Sequence, residues 1–250
     1  MSAPETLDGW FALHDLRRFD RVAWNLLSAA TRKKALTEAT DLLTSFEQVE
    51  DAPAGRSVTY SVIGHKADLL MFHLRPEVGE LHELERAFDD TLLATCTTRP
   101  YSYLSVVEIS RHGSPEGTSA NIEDSPAVQA RLYPEIPPHS RYVCFYPMSK
   151  KREGTDNWYT LSAADRGELM RAHGRTGRGY AGTVTQIVTG SMGLDDWEWG
   201  VTLFSDDPLV FKKLIYEMRF DEVSARFADF GSFYVGQRLT PEGLGRCLGE

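Results

Sequence analysis

The strongest constraint on the fold is a pattern written twice. Segments 61–76 and 187–208 each hold a strand-like run, a turn with glycine, an apolar second strand and a proline that launches a helix. The segments around them also follow one order, which predicts two fused βαββαβ halves of ferredoxin-like type, residues 1–120 and 121–250. Helices in each half cover one face of an antiparallel sheet and leave the other face to its sister sheet. The expected result is an α+β fold with a barrel-like core and room at one end for a ligand.

The first half opens at Asp15, a plausible N-cap, from which Leu16, Phe19, Val22, Ala23, Leu26 and Leu27 recur at helical spacing. Leu36, Ala39, Leu42, Leu43 and Phe46 extend this into one long or broken helix. Strands at 57–63 and 67–74 are joined by Gly64-His65-Lys66, and a helix then aligns Val78, Leu81, Leu84, Phe88 and Leu92. A strand at 101–110 leads into a Gly/Ser/Pro/Glu-rich stretch at 112–125, the best linker candidate. The second half reads as a strand at 141–146, a helix opening at Ser162, strands at 183–188 and 197–204 around Gly190, a helix at Asp207-Pro208 and a strand at 231–237.

With 36 acidic against 27 basic residues the net charge is −9, which argues against a nucleic-acid partner, so an anionic ligand must be met by a local basic cluster. No apolar run approaches the roughly 18 residues of a membrane span, and Met1 to Gly9 lacks the features of a secretory signal, so the expected compartment is the cytoplasm. Cys96, Cys144 and Cys247 show no CxxC spacing, which points away from disulfides and from zinc.

Several residues could carry chemistry. Ser162 caps a helix over 163–172 with Gly174 as its C′ residue, so His173 falls in the last turn, either as an exposed capping histidine or as a metal ligand. Gly174, Arg175, Gly177, Arg178 and Gly179 follow it, a solvated basic loop or a clamp for carboxylates or phosphates. Tyr142, Cys144 and Tyr146 share a strand face that Met148 and Lys150 continue if the chain stays extended through Pro147. Gln186 is one polar group in the row of Val184 and Val188, where a buried amide needs partners. Arg219 and Ser224 are expected on one helix over 208–227. No Ser-His-Asp arrangement is evident.

Taken together, Tyr146-Pro-Met-Ser-Lys-Lys-Arg152, His173-Gly-Arg-Thr-Gly-Arg178, Asp196-Trp-Glu-Trp-Gly-Val-Thr-Leu-Phe204 and Tyr216-Glu-Met-Arg-Phe-Asp-Glu-Val-Ser-Ala-Arg226 resemble the coproheme decarboxylases of the chlorite dismutase superfamily. The resemblance covers most of the chain and is strongest from about Tyr133 to Gly236. It implies a dimeric α+β barrel built from tandem ferredoxin-like halves, five such subunits in a ring, and a porphyrin in the C-terminal half. His173 is similar to the proximal iron ligand, Tyr146 to the tyrosine that becomes the radical oxidant, and Lys150 to the lysine beside the reacting propionates. Arg131, Met148, Arg178, Arg219 and Ser224 resemble residues that position the propionates or the porphyrin edge. Gln186 stands where chlorite dismutases carry a distal arginine, a departure that fits the decarboxylase branch.

What the resemblance implies is hydrogen peroxide-dependent conversion of two propionates of iron coproporphyrin (coproheme) to vinyl groups, giving heme b through a tyrosyl radical. Four carboxylates in an acidic protein need local cations, and Arg131, Lys150, Arg178 and Arg219 could provide them. A ferrochelatase acting upstream is the expected transient partner. The alternatives are a peroxidase or chlorite-decomposing activity on bound heme, and a non-catalytic heme carrier.

Overall fold

The computed structural model describes residues 5–110 and 125–250; all but Ser125 of the expected linker lies outside them. In chain order the elements are β1 (Thr6–Phe19), α1 (Arg21–Leu26), α2 (Ala29–Gln48), β2 (Arg56–Val62), β3 (Leu69–Arg75), α3 (Val78–Asp89) and β4 (Thr97–Ser110). They continue with α4 (Pro126–Leu132), β5 (Tyr142–Lys150), the short pair β6 (Arg152–Glu153) and β7 (Asp156–Asn157), α5 (Ala163–Arg178), β8 (Thr185–Gly190) and β9 (Trp199–Ser205). Last come α6 (Pro208–Met218), α7 (Glu222–Phe227), β10 (Ala228–Phe230), β11 (Tyr234–Leu239) and α8 (Leu244–Leu248). The described residues form two compact units: 10–105 with 234–250, and 106–110 and 125–233 with 5–9.

In the first of these units the antiparallel strands run β11-β2-β3-β1-β4, with the ferredoxin-like order in its last four. Its core joins Leu13, Phe19, Leu69 and Met71 of the sheet to Leu43 and Phe46 of α2 and Leu84 and Phe88 of α3. Burying a side chain of this size contributes roughly 1.5–3 kcal/mol, so the helix layer holds mainly through these contacts.

The helix expected from Asp15 begins later. Asp15, Leu16 and Phe19 belong to β1, and α1 starts behind Asp20, whose carboxylate accepts from the N–H groups of Val22 and Ala23. The six residues from Ala12 to Arg17 are all buried, so this strand lacks the alternation that announces one in a sequence. Two of its polar members are matched to each other, Arg17 donating to Asp15 at 2.6 and 2.7 Å and lying over the Phe88 ring. The expected break in the helix falls at Leu27, and Ser28 caps α2 by accepting from Thr31 N–H.

The second unit repeats the order as β10-β5-β9-β8, with Val106 and Val107 of β4 added beside β8. Strand β5 stays extended through Pro147 to Lys150, as the shared face of Tyr146, Met148 and Lys150 requires. The single helix expected over 208–227 is two, α6 and α7, because Asp221 leaves the helix and caps the second one. Among the described residues no helix is long and apolar enough to cross a membrane.

Candidate functional site

The site grows from the C-terminal part of α5. Ser162 caps this helix as expected, accepting from Asp165 N–H at 3.1 Å. The helix does not stop at Gly174, however; it runs on to Arg178 and is capped by Gly179, so His173 lies inside it and not in its last turn. Glycine permits a left-handed terminus without demanding one, and Gly174 stays helical. A Cβ at Gly174 would stand in ordinary contact, 3.4 Å, with Nη1 of Arg178, so this position does not demand glycine.

His173 Nδ1 meets Asp221 Oδ2 at 2.7 Å, with the imidazole 30% and the carboxylate 7% exposed. A carboxylate only accepts, so the proton sits on Nδ1 and Nε2 is the nitrogen available to a metal. The same Asp221 oxygen accepts from Ser224 N–H at 3.3 Å, fixing it at the start of α7. A single acid thus orients the histidine and caps a helix.

Tyr146 is buried on β5, its ring stacked 4.5 Å from Phe233 and tilted 5.8 Å from Phe230. Burial raises the phenol above its ordinary pKa, reinforced by Cys144 and opposed by the Arg219 charge. Arg219 caps α6 with its guanidinium 3.8 Å over the Phe230 ring. Phe230 pairs with Met148, which shares the Tyr146 face, so the α6–α7 junction lies over that face. His173, through Asp221, and Tyr146, through Arg219 and Phe230, therefore stand on the same side of the sheet.

Lys150 completes the group. Its ammonium lies 4.7 Å over the Trp158 ring, and its pKa is brought down to about 8 by burial, while Asp221 and Glu198 pull it back up. A partly desolvated lysine among two acids holds a transferable proton near neutral pH.

The register places Gln186 on the Tyr146 face, because Gln186 pairs with Leu203 and Leu203 with Cys144. It is exposed and not the buried amide expected. Arg131 is exposed in the last turn of α4, and Arg178 is exposed on α5. No hydrogen bond or ion pair among the described residues joins these three to the His173–Tyr146 group. Ser224 is buried with it. Asp221, Glu198, Trp158 and Phe230 are not among the residues that the sequence singles out; the best signal for them is Asp221 before Glu222, an N-cap pattern inside an apparently continuous helix.

A family model described as Chlorite dismutase matches residues 32–239. The chain belongs to the chlorite dismutase family. Among solved structures it is similar to a heme-binding protein from Thermus thermophilus, with 47% identity over 100% of both chains and a TM-score of 0.92. Two variant forms of chlorite dismutase from Candidatus Nitrospira defluvii, each 18% identical, match with TM-scores of 0.75 over 97% and 0.77 over 96% of both chains. At that identity the likeness to chlorite dismutase is one of fold, the antiparallel α+β arrangement described above.

Proposed function

We propose that this chain holds coproheme through His173 Nε2 and decarboxylates two of its propionates with hydrogen peroxide, yielding heme b. The observation that carries the reading is the Asp221-oriented imidazole on the same side of one sheet as a buried tyrosine and a lysine with a lowered pKa. The 47% identical relative described as heme-binding supports a porphyrin ligand.

The residues fit such a substrate. Asp221 would strengthen His173 as a ligand, and the exposed Arg131, Arg178 and Arg219 would meet the carboxylates. Met148 and Ser224 would line it, and Gln186 would face the oxidant. Bound iron porphyrin supplies the oxidising equivalents of peroxide.

Tyr146 is kept protonated by burial, so it acts by losing a hydrogen atom; its radical then takes one from the β-carbon of a propionate. Loss of a further electron and cleavage of the bond to the carboxylate leave a vinyl group and carbon dioxide. Per propionate, one carboxylate, one peroxide and one proton give one vinyl group, one carbon dioxide and two waters. The Lys150 ammonium both holds the carboxylate and supplies that proton.

The 121–250 half is the porphyrin-binding one in this reading, the subunits form a pentameric ring in the cytoplasm, and a ferrochelatase delivers coproheme. The test is to load apoprotein with coproheme, add peroxide and weigh the porphyrin. Loss of two carbon dioxide units supports the reading. An unchanged mass points to a carrier, and oxygen release from chlorite to the peroxidase-like alternative.

A further inference from the structure

A reaction that consumes a proton at a half-buried lysine needs something to hold that lysine charged and in place. Lys150 ends β5, and its direction depends on what anchors the strand end. The anchor is Glu198, whose carboxylate accepts the Lys150 N–H at 2.6 Å. Glu198 is itself held: its own N–H donates to Met148 O at 3.1 Å and to Ser149 Oγ at 3.2 Å, and its carbonyl accepts from Ser191 N–H at 2.9 Å. A side chain only 10% exposed, on the turn before β9, is an expensive place for an acid that serves no partner.

Its partners converge on the lysine. The Glu198 carboxylate helps raise the Tyr159 phenol above its ordinary pKa, Arg152 approaches Glu198 at 3.9 Å, and its negative charge is felt by the Lys150 ammonium. The other charged group facing that ammonium is Asp221, already engaged by His173 and α7. Glu198 is therefore the acid not committed to the histidine.

We infer that Glu198 is the positioning residue of Lys150: its carboxylate fixes the backbone from which the lysine projects and, beside Asp221, supplies part of the counter-charge that keeps the ammonium in a desolvated site. The chemical part of this inference rests on the decarboxylase reading, whereas the state of the lysine does not. Two readouts keep them apart.

The first is the pH dependence of Lys150 acetylation by acetic anhydride in coproheme-free protein, followed by peptide mass spectrometry. Glu198→Gln keeps an acceptor for the Lys150 N–H and removes the charge, so the midpoint should fall by about one pH unit. The second is the alkaline limb of decarboxylation, which should fall with it, while Lys150→Gln makes Glu198→Gln silent in the double variant. Glu198→Asp keeps the charge but falls a methylene short of the N–H, so the limb stays and the rate drops.

An unmoved acetylation midpoint in Glu198→Gln overturns the inference. If that variant fails to fold, a wild-type decarboxylation rate in Glu198→Asp overturns it. A shifted midpoint in a protein that never decarboxylates coproheme supports the lysine's dependence on Glu198 and rejects the proposed function instead.

Discussion

Replacing Asp221 by asparagine separates the two tasks that this residue performs. The bond to His173 is short, 2.7 Å, and the carboxylate is 7% exposed, so solvent screens it little. A hydrogen bond to a charged group contributes about 1.5–3 kcal/mol net, and a neutral acceptor recovers roughly half of that. The remaining loss, on the order of 1 kcal/mol, predicts roughly five- to tenfold weaker coproheme binding and a weaker iron–histidine bond. Asparagine caps helices about as well as aspartate, so α7 and the melting temperature should change little. Asp221→Ala also loses the cap to Ser224 N–H, costing about 1 kcal/mol more and about 2–4 °C in Tm for a chain of this size. The assay is titration of apoprotein followed by the Soret band, with the iron–histidine stretch of the reduced complex read by resonance Raman. Wild-type affinity with an unmoved stretch in Asp221→Asn refutes the reasoning.

Two further predictions follow from buried groups. Tyr146→Phe keeps the stacked ring and should retain coproheme binding while decarboxylation falls below ~1% of wild type, a barrier increase above about 2.7 kcal/mol; mass analysis after peroxide checks this. His14 and His73 are held neutral with pKa values of about 3 against 6.5, chiefly by burial and then by the charge of His73 on His14 and of Arg75 on His73. Because the folded values are depressed, this stability is full above pH 6.5 and is lost as pH falls toward 3, by up to about 1.4 kcal/mol per pH unit for each histidine. The urea midpoint should decline from pH 6.5 to 4, and His14→Phe, preserving the stack on Phe72, should cut the slope by about half; an unchanged slope in the variant contradicts it.

What could be read from the chain alone was whatever depends on neighbours in sequence. The repeated hairpins, the Ser162 and Asp207 caps and the face shared by Tyr146, Met148 and Lys150 all appear where local spacing put them. Strand β1 was hidden because both of its faces are buried, which erases the period of two. The end of α5 differs from the expectation because a glycine permits a left-handed helix end without requiring one, and Gly174 stays helical. Asp221 and Glu198 stayed silent for another reason: their bonds to His173 and Lys150 each span 48 residues and exist only once the sheet has closed. His173, Tyr146 and Lys150 are legible by residue type, and Asp221 and Glu198, which bond to His173 and to the Lys150 backbone, are not.

The helix bearing His173 carries glycine at 167, 174 and 177 within its sixteen residues. Each costs roughly 1 kcal/mol of helical stability relative to alanine, so this helix depends on its packing more than on its own preference for the helical state. In the proposed reading, the imidazole that would hold the iron is carried on a stretch of backbone with weaker helical preference than an alanine-rich one would have, so grip and give are asked of the same turns.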